Sequence, residues 1–81
     1  MTSDVQPEEL VSLFAANVRA RRLKLKLTQA ELAARMGVHV PYISAIENGH
    51  RTPFLGNLAK FAEALETTPD ALISASKKIS A

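Results

Sequence analysis

The sequence predicts an all-α fold, and three observations support that prediction. Apolar residues recur at helical spacing in successive segments of the chain, as in Leu10, Phe14 and Val18. Residues that favour helix starts precede several of these segments, and Gly37 has the chemistry to end one of them. We therefore expect five helices around one core, since a chain of 81 residues has room for a single small domain.

Helix one is expected from Pro7 to about Leu25. Proline is favoured in a first helical turn, and Glu8 and Glu9 complement the positive end of the helix dipole. The preceding residues 1–6 include few apolar side chains, so we predict a flexible N-terminus there.

Helix two has a marked beginning and a marked end. The spacing of Thr28 and Glu31 predicts a capping box, and Gly37 suits the left-handed residue that closes a helix. Lys26 stands where glycine or asparagine would ease the turn before this helix, and a positive φ there would cost on the order of 1 kcal/mol. The helix carries a small apolar face of Ala30, Leu32, Ala33 and Met36.

Helix three follows after a very short turn. It opens at His39 or Val40 and closes at Gly49, and Ile43 and Ile46 are expected to point inward. Two short helices joined in this way are typical of a helix-turn-helix, although an αα-hairpin that only builds a core has the same periodicity.

Helix four should start soon after Pro53 and extend to about Glu66. Helix five has a strong start signal, with Thr68 as N-cap, Pro69 at the first helical position and Asp70 in the first turn. We expect helix four to bury Leu55, Leu58, Phe61, Ala62 and Leu65. The predicted domain spans residues 7–75, and residues 76–81 form either a tail or an extension of helix five.

Charge distinguishes the two interpretations of the hairpin. The segment from residue 19 to residue 51 contains seven basic residues and only two acidic ones, Glu31 and Glu47, whereas the rest of the chain is net acidic. A positive surface around a protruding helix is typical of proteins that bind the phosphate backbone of nucleic acids. DNA binding is therefore favoured over a purely structural hairpin. The basic residues are Arg19, Arg21, Arg22, Lys24, Lys26, Arg35 and Arg51.

These residues also carry a resemblance to a known family. The chain resembles the Cro/phage-repressor type of helix-turn-helix transcription regulators, the XRE family, in register and without gaps from about Phe14 to Leu72. The resemblance implies a compact five-helix, repressor-like DNA-binding domain whose third helix enters the major groove. The matching residues are Asn17-Val18-Arg19, Arg22, Leu27-Thr28-Gln29, Glu31-Leu32-Ala33, Gly37-Val38, Tyr42-Ile43-Ser44, Ile46-Glu47-Asn48-Gly49, Pro53, Leu58, Ala62 and Leu65.

The same resemblance indicates which residues would contact DNA. Gln29 looks like a phosphate clamp at the start of helix two, while Val40, Pro41 and Ala45 fall where related repressors read bases. None of these three side chains can donate a hydrogen bond, although they can contact thymine methyls, so purine edges would have to be read by His39, Tyr42, Ser44 or Arg51. We therefore expect methyl contacts and DNA shape to contribute to specificity. For Tyr42, a base contact and simple packing on the domain surface remain equally open. The full predicted DNA-binding set is Thr28, Gln29, His39, Val40, Pro41, Tyr42, Ser44, Ala45, Asn48, His50, Arg51 and Thr52.

Glu47 is predicted to form a structural salt bridge. It follows Ile46 on the inward side of helix three, where an unpaired carboxylate would be costly. Arg22 near the end of helix one is the expected partner, and related repressors have a similar bridge.

A module of this size reads about half of a DNA site, so we predict a homodimer on a pseudo-palindromic operator. Apolar residues near the C-terminal end could form the dimer interface, or they could only close the core of one chain. The predicted interface residues are Phe54, Leu72, Ile73 and Ile79.

Other classes of function find little support. The chain has no cysteine, and His39 and His50 alone cannot form a closed metal site, so neither a metal nor another cofactor is expected. No paired carboxylates share a helix face away from solvent and no glycine-rich phosphate loop is present, which argues against an enzyme. Since no apolar run approaches the roughly 20 residues of a membrane span, we expect a cytoplasmic location and no membrane partner. The main alternative is a protein-interaction module, such as an antitoxin or a bridging factor, for which DNA binding is secondary.

Overall fold

The computed structural model describes residues 6–75. Within this range the chain forms five α-helices and no β-strand, which confirms the predicted all-α fold. Most of the predicted flexible N-terminus and all of residues 76–81 lie outside the described residues. The helices are α1 (Pro7–Lys24), α2 (Gln29–Met36), α3 (Val40–Glu47), α4 (Leu55–Ala64) and α5 (Pro69–Leu72).

One hydrophobic core lies between these helices. Helix α3 packs on α1 and α2, while α4 packs on α2 and α5. The Phe14 ring meets the Phe61 ring edge to face at the centre of the core, with centroids 5.2 Å apart. The largest fully buried side chains are Phe61, Leu32, Ile43, Ile46, Leu65, Leu72 and Val18.

The predicted signals around α2 are present as local geometry. The Thr28 hydroxyl accepts from the Glu31 N–H at 2.9 Å, and the Glu31 carboxylate accepts from the Thr28 N–H at 2.8 Å. Gly37 ends the helix in the left-handed region with φ of 72°, and Lys26 also has a positive φ of 61°. Helix α2 is therefore defined at both ends, and the turn to α3 occupies only residues 37–39.

Two packing expectations are wrong. Leu55, predicted to be buried, is 83% exposed at the first position of α4. Leu72, predicted at a dimer interface, is only 2% exposed within one chain because α5 packs on α1 and α4. Its side chain belongs to the core.

Two helix ends also differ from the expectation. Helix α4 ends at Ala64 rather than Glu66, because the chain turns through a left-handed residue at Glu66 with φ of 59°. Helix α5 has four residues, and the Thr68 hydroxyl caps it by accepting from the Ala71 N–H at 3.3 Å.

Within residues 6–75, no helix combines the length and apolar character needed to cross a membrane. The same part of the chain contains no group of three histidine, aspartate or glutamate side chains suited to a metal ion.

Candidate nucleic-acid interface

A buried ion pair fixes α3 to α1. Arg22 Nε lies 2.7 Å from Glu47 Oε2, and Arg22 Nη2 donates to Glu47 Oε1 at 2.9 Å. The two side chains are only 9% and 1% exposed, so the predicted salt bridge is present and shielded from water. A third donor of the guanidinium, Nη1, binds the Leu27 carbonyl at 2.8 Å and ties the turn before α2 to the same pair.

The ion pair changes the protonation equilibrium of its cation. Hydrogen bonding to the Glu47 carboxylate raises the pKa of the Arg22 guanidinium above its ordinary value, although burial acts in the opposite direction. Arg22 therefore stays charged throughout the pH range in which proteins fold.

Gln29 joins this buried pair, which the sequence did not predict. Its Nε2 donates to Glu47 Oε1 at 3.1 Å from the first turn of α2. The carboxylate thus links three helices, and one of the two amide N–H groups of Gln29 is already in use. A phosphate contact by this side chain would have to use the other.

The outward side of α3 presents short side chains. Ile43 and Ile46 point into the core as predicted, Ser44 and Ala45 are half-buried, and the Asn48 side chain donates weakly to the Ser44 hydroxyl at 3.4 Å. The exposed members of the predicted DNA-binding set are Thr28, His39, Val40, Pro41, Asn48, His50, Arg51 and Thr52.

Tyr42 lies on the flank of α3 and packs against its own domain. Its ring centroid is 6.2 Å from that of Phe61, and its hydroxyl accepts from Asn57 Nδ2 at 2.9 Å. The Arg51 guanidinium carbon lies over the Tyr42 ring, 5.5 Å from its centroid, as in a cation–π contact. This geometry favours packing for Tyr42 and holds a cation beside α3.

A shallow depression next to α3 brings together residues from two predicted sites. His39, Tyr42 and Arg51 of the DNA-binding set line it with Phe54 of the dimer set. Phe54 is 71% exposed there.

The basic residues between residues 19 and 51 do not form a single free surface, because some of them bind groups of their own domain. Arg21 donates to the Leu65 and Glu66 carbonyls at 2.8 and 2.7 Å, and Arg35 donates to the Ala64 carbonyl at 2.8 Å. These guanidinium groups cap the C-terminal end of α4, where carbonyls lack helical partners. Arg35 is nevertheless exposed while it donates to α4. The exposed basic residues between residues 19 and 51 are Arg19, Lys24, Lys26, Arg35 and Arg51.

The order and packing of these helices agree with a family comparison. The HTH_3 family, described as helix-turn-helix, matches residues 18–72 of the chain. The chain belongs to this family. The matched residues run from α1 to α5, so the HTH_3 domain includes the buried pair and the whole outward face of α3.

Similar proteins include a phage repressor and a control protein. Repressor protein C2 of Salmonella phage P22 is 39% identical over 61 residues, which cover 75% of this chain and 28% of the repressor. Control protein C.SmaI of Serratia marcescens is 32% identical over 72 residues, which cover 89% of this chain and 86% of that protein. The chain thus spans about a quarter of the phage repressor's length and most of C.SmaI.

A solved structure extends the comparison to a complex. The restriction-modification controller protein C.Esp1396I, described as a tetramer with its natural 35 base-pair operator, superposes with a TM-score of 0.72. It is 27% identical, and the alignment covers 78% of this chain and 83% of that chain. These three proteins are named as a repressor, a control protein and a controller protein.

Proposed function

We propose that this protein is a sequence-specific DNA-binding transcriptional regulator that inserts α3 into the major groove. The observation that carries the proposal is the Arg22–Glu47–Gln29 cluster, which fixes α3 to α1 and α2 while Val40 and Pro41 in its first turn stay exposed. A rigid helix with a slender outer face is what major-groove docking requires.

Phosphate contacts would orient the helix in the groove. Arg51 is held beside α3 by Tyr42, and the exposed His50 and Thr52 flank it in the same loop. The N-terminus of α2 offers backbone N–H groups and the second amide N–H of Gln29. One set of these groups precedes α3 in the sequence and the other follows it. Such an arrangement is expected when the backbone phosphates on either side of the major groove are both contacted.

The functional unit in this proposal is a homodimer on a pseudo-palindromic operator. The C.Esp1396I complex is oligomeric on its operator, and this chain carries apolar surface that one domain does not bury. Phe54, Leu55 and Ile73 are 71%, 83% and 42% exposed. Ile79 lies outside the described residues, and Leu72 is excluded by its burial. Half-sites would lie about 34–36 Å apart, one turn of the DNA helix.

Selection of bound sequences from random duplexes tests the proposal with the purified protein. We expect two inverted half-sites with a fixed spacing. A salt titration on the selected duplex should give a log–log slope of about −0.9 for each phosphate neutralised. Absence of enriched sequences, or weak binding without sequence preference, would instead favour the protein-interaction module.

A pair of proline variants shows whether α3 is the binding element. Pro41→Glu places a carboxylate in the exposed first turn of α3, whereas Pro69→Glu makes the same change in the exposed first turn of α5. We expect Pro41→Glu to abolish operator binding because the carboxylate would approach the negatively charged DNA. Pro69→Glu should retain it, and circular dichroism should report a helical fold for both. Equal loss in the two variants would contradict the role of α3.

A further inference from the structure

The first turn of α3 has unusual chemistry for a surface that reads bases. Val40 and Pro41 are exposed, and Ala45 is half-buried one turn further along. None of these side chains can donate or accept a hydrogen bond, and Pro41 also lacks a backbone N–H. Hydrogen bonds to base edges must therefore come from elsewhere on the helix.

The polar side chains of this region either follow the first turn of α3 or pack on the flank of the helix. Asn48 donates to the Ser44 hydroxyl at 3.4 Å on the following turns, and the Tyr42 hydroxyl accepts from Asn57 Nδ2 at 2.9 Å. Base contacts in helix-turn-helix proteins come mainly from the N-terminal residues of the recognition helix. In this chain the first two helical residues, Val40 and Pro41, are apolar, and the exposed polar side chain beside them is His39 at the N-cap.

One group in the major groove suits an apolar side chain. Each base pair presents hydrogen-bond donors and acceptors there, and thymine adds the C5-methyl group. Cytosine carries a hydrogen at the same ring position, and 5-methylcytosine restores the methyl. A side chain that touches only this group responds to the methyl itself, whichever pyrimidine carries it.

We propose that the first turn of α3 recognises pyrimidine C5-methyl groups, so that cytosine methylation at a contacted operator position strengthens binding. This inference rests on the proposed DNA-binding function and names the feature of the DNA that Val40 and Pro41 read. Burial of one methyl group corresponds to about a fourfold change in affinity. One methyl in each half-site of a dimer's operator corresponds to about 15-fold.

The first test is a deoxyuridine scan of the operator obtained from the random-duplex selection. Deoxyuridine removes the thymine methyl and leaves every hydrogen-bonding group in place. We expect about fourfold weaker binding at one or two positions in each half-site, and little change elsewhere. Uniform affinity across the scan would overturn the inference while leaving DNA binding itself established. A failed selection, in contrast, would be a failure of the proposed function.

The second test changes only the methyl group on cytosine. At each sensitive position the T·A pair is replaced by C·G and by 5-methylcytosine·G, which differ by the one methyl. We expect the methylated duplex to bind about fourfold more tightly than the unmethylated one. Equal binding would overturn the inference.

Protein variants assign the effect to α3. The double variant V40A/P41A removes most of the apolar surface of the first turn, and L23A removes an exposed leucine, 52% accessible, from α1. We expect V40A/P41A to reduce the thymine-to-uracil ratio below about twofold, whereas L23A should keep the ratio of the original protein. An unchanged ratio in V40A/P41A would mean that another surface reads the methyl, and would overturn the assignment.

Discussion

At the scale of single residues, the Glu47 carboxylate controls how α3 is held. It accepts from Arg22 Nε and Nη2 and from Gln29 Nε2, and its side chain is 1% exposed. A buried carboxylate needs such a set of donors because it has lost its water. That requirement predicted a cationic partner, and the position of Arg22 near the end of helix one together with the family resemblance indicated which one. The role of Gln29 was not predictable, because a glutamine at a helix start suits a phosphate equally well.

Removal of the cation should be costly. Arg22→Ala leaves Glu47 buried without its ion-pair partner, so we expect the free energy of unfolding to fall by about 3–5 kcal/mol in urea titrations. Arg22→Lys keeps the charge but cannot make the two-pronged contact, and it should lose less. Arg19→Ala on the exposed side of α1 is the control and should change stability by less than about 0.5 kcal/mol. A comparable small loss for Arg22→Ala would mean that the pair acts like a surface salt bridge.

Two arginines near the hairpin should differ in their effect on DNA binding. Arg51 stands over Tyr42 beside α3, whereas Arg35 caps the Ala64 carbonyl at the end of α4. We expect Arg51→Ala to reduce the magnitude of the log–log salt slope by about 0.9, the contribution of one phosphate. Arg35→Ala should leave the slope unchanged and lower stability instead. Equal slopes for Arg51→Ala and the original protein would remove Arg51 from the phosphate contacts.

At the scale of elements, α2 and α3 are each eight residues long, too short to be stable as isolated helices. These two helices must therefore be stabilised by the interactions at their ends and by packing against the other helices. The two ends of α2 could be predicted from the sequence because Thr28, Glu31 and Gly37 determine the local backbone geometry within a few residues of themselves. The direction in which a helix presents its first residue depends on packing against other elements, so the exposure of Leu55 could not be predicted in the same way.

The turn between α1 and α2 stores strain at Lys26, whose φ is 61°. Lys26→Gly should increase stability by about 0.5–1 kcal/mol, because glycine adopts a positive φ without the clash at Cβ. Lys24→Gly removes the same charge from within α1 and should instead decrease stability by up to about 1 kcal/mol. Thermal and urea unfolding of the two variants gives the comparison. Shifts in the same direction would show that charge, rather than backbone conformation, dominates at this turn.

At the scale of the whole molecule, one domain both builds a core and leaves apolar surface exposed. Leu72 and Ile73 illustrate why the sequence could not separate these roles, since they are adjacent, similar in hydrophobicity and yet 2% and 42% exposed. An apolar residue at either position could be buried in the core or left at the surface. The packing of α5 on α1 and α4 determines which of the two is buried. The sequence thus predicted the fold and the buried pair more reliably than which apolar residues stay exposed on the surface.

The exposed start of α4 should decide the oligomeric state. Phe54 is 71% exposed and projects from the loop before α4, so its removal costs one domain little of its core. Phe54→Ser should retain the helical spectrum and change the melting temperature only slightly. Sedimentation at micromolar concentration should nevertheless show a shift from dimer to monomer, because interface stability concentrates in a few buried aromatic residues. Leu23→Ser removes a side chain of 52% exposure from α1 and is expected to leave the dimer intact. If the original protein sediments with monomer mass in the absence and presence of its operator, the homodimer is wrong and the half-sites are read by independent copies.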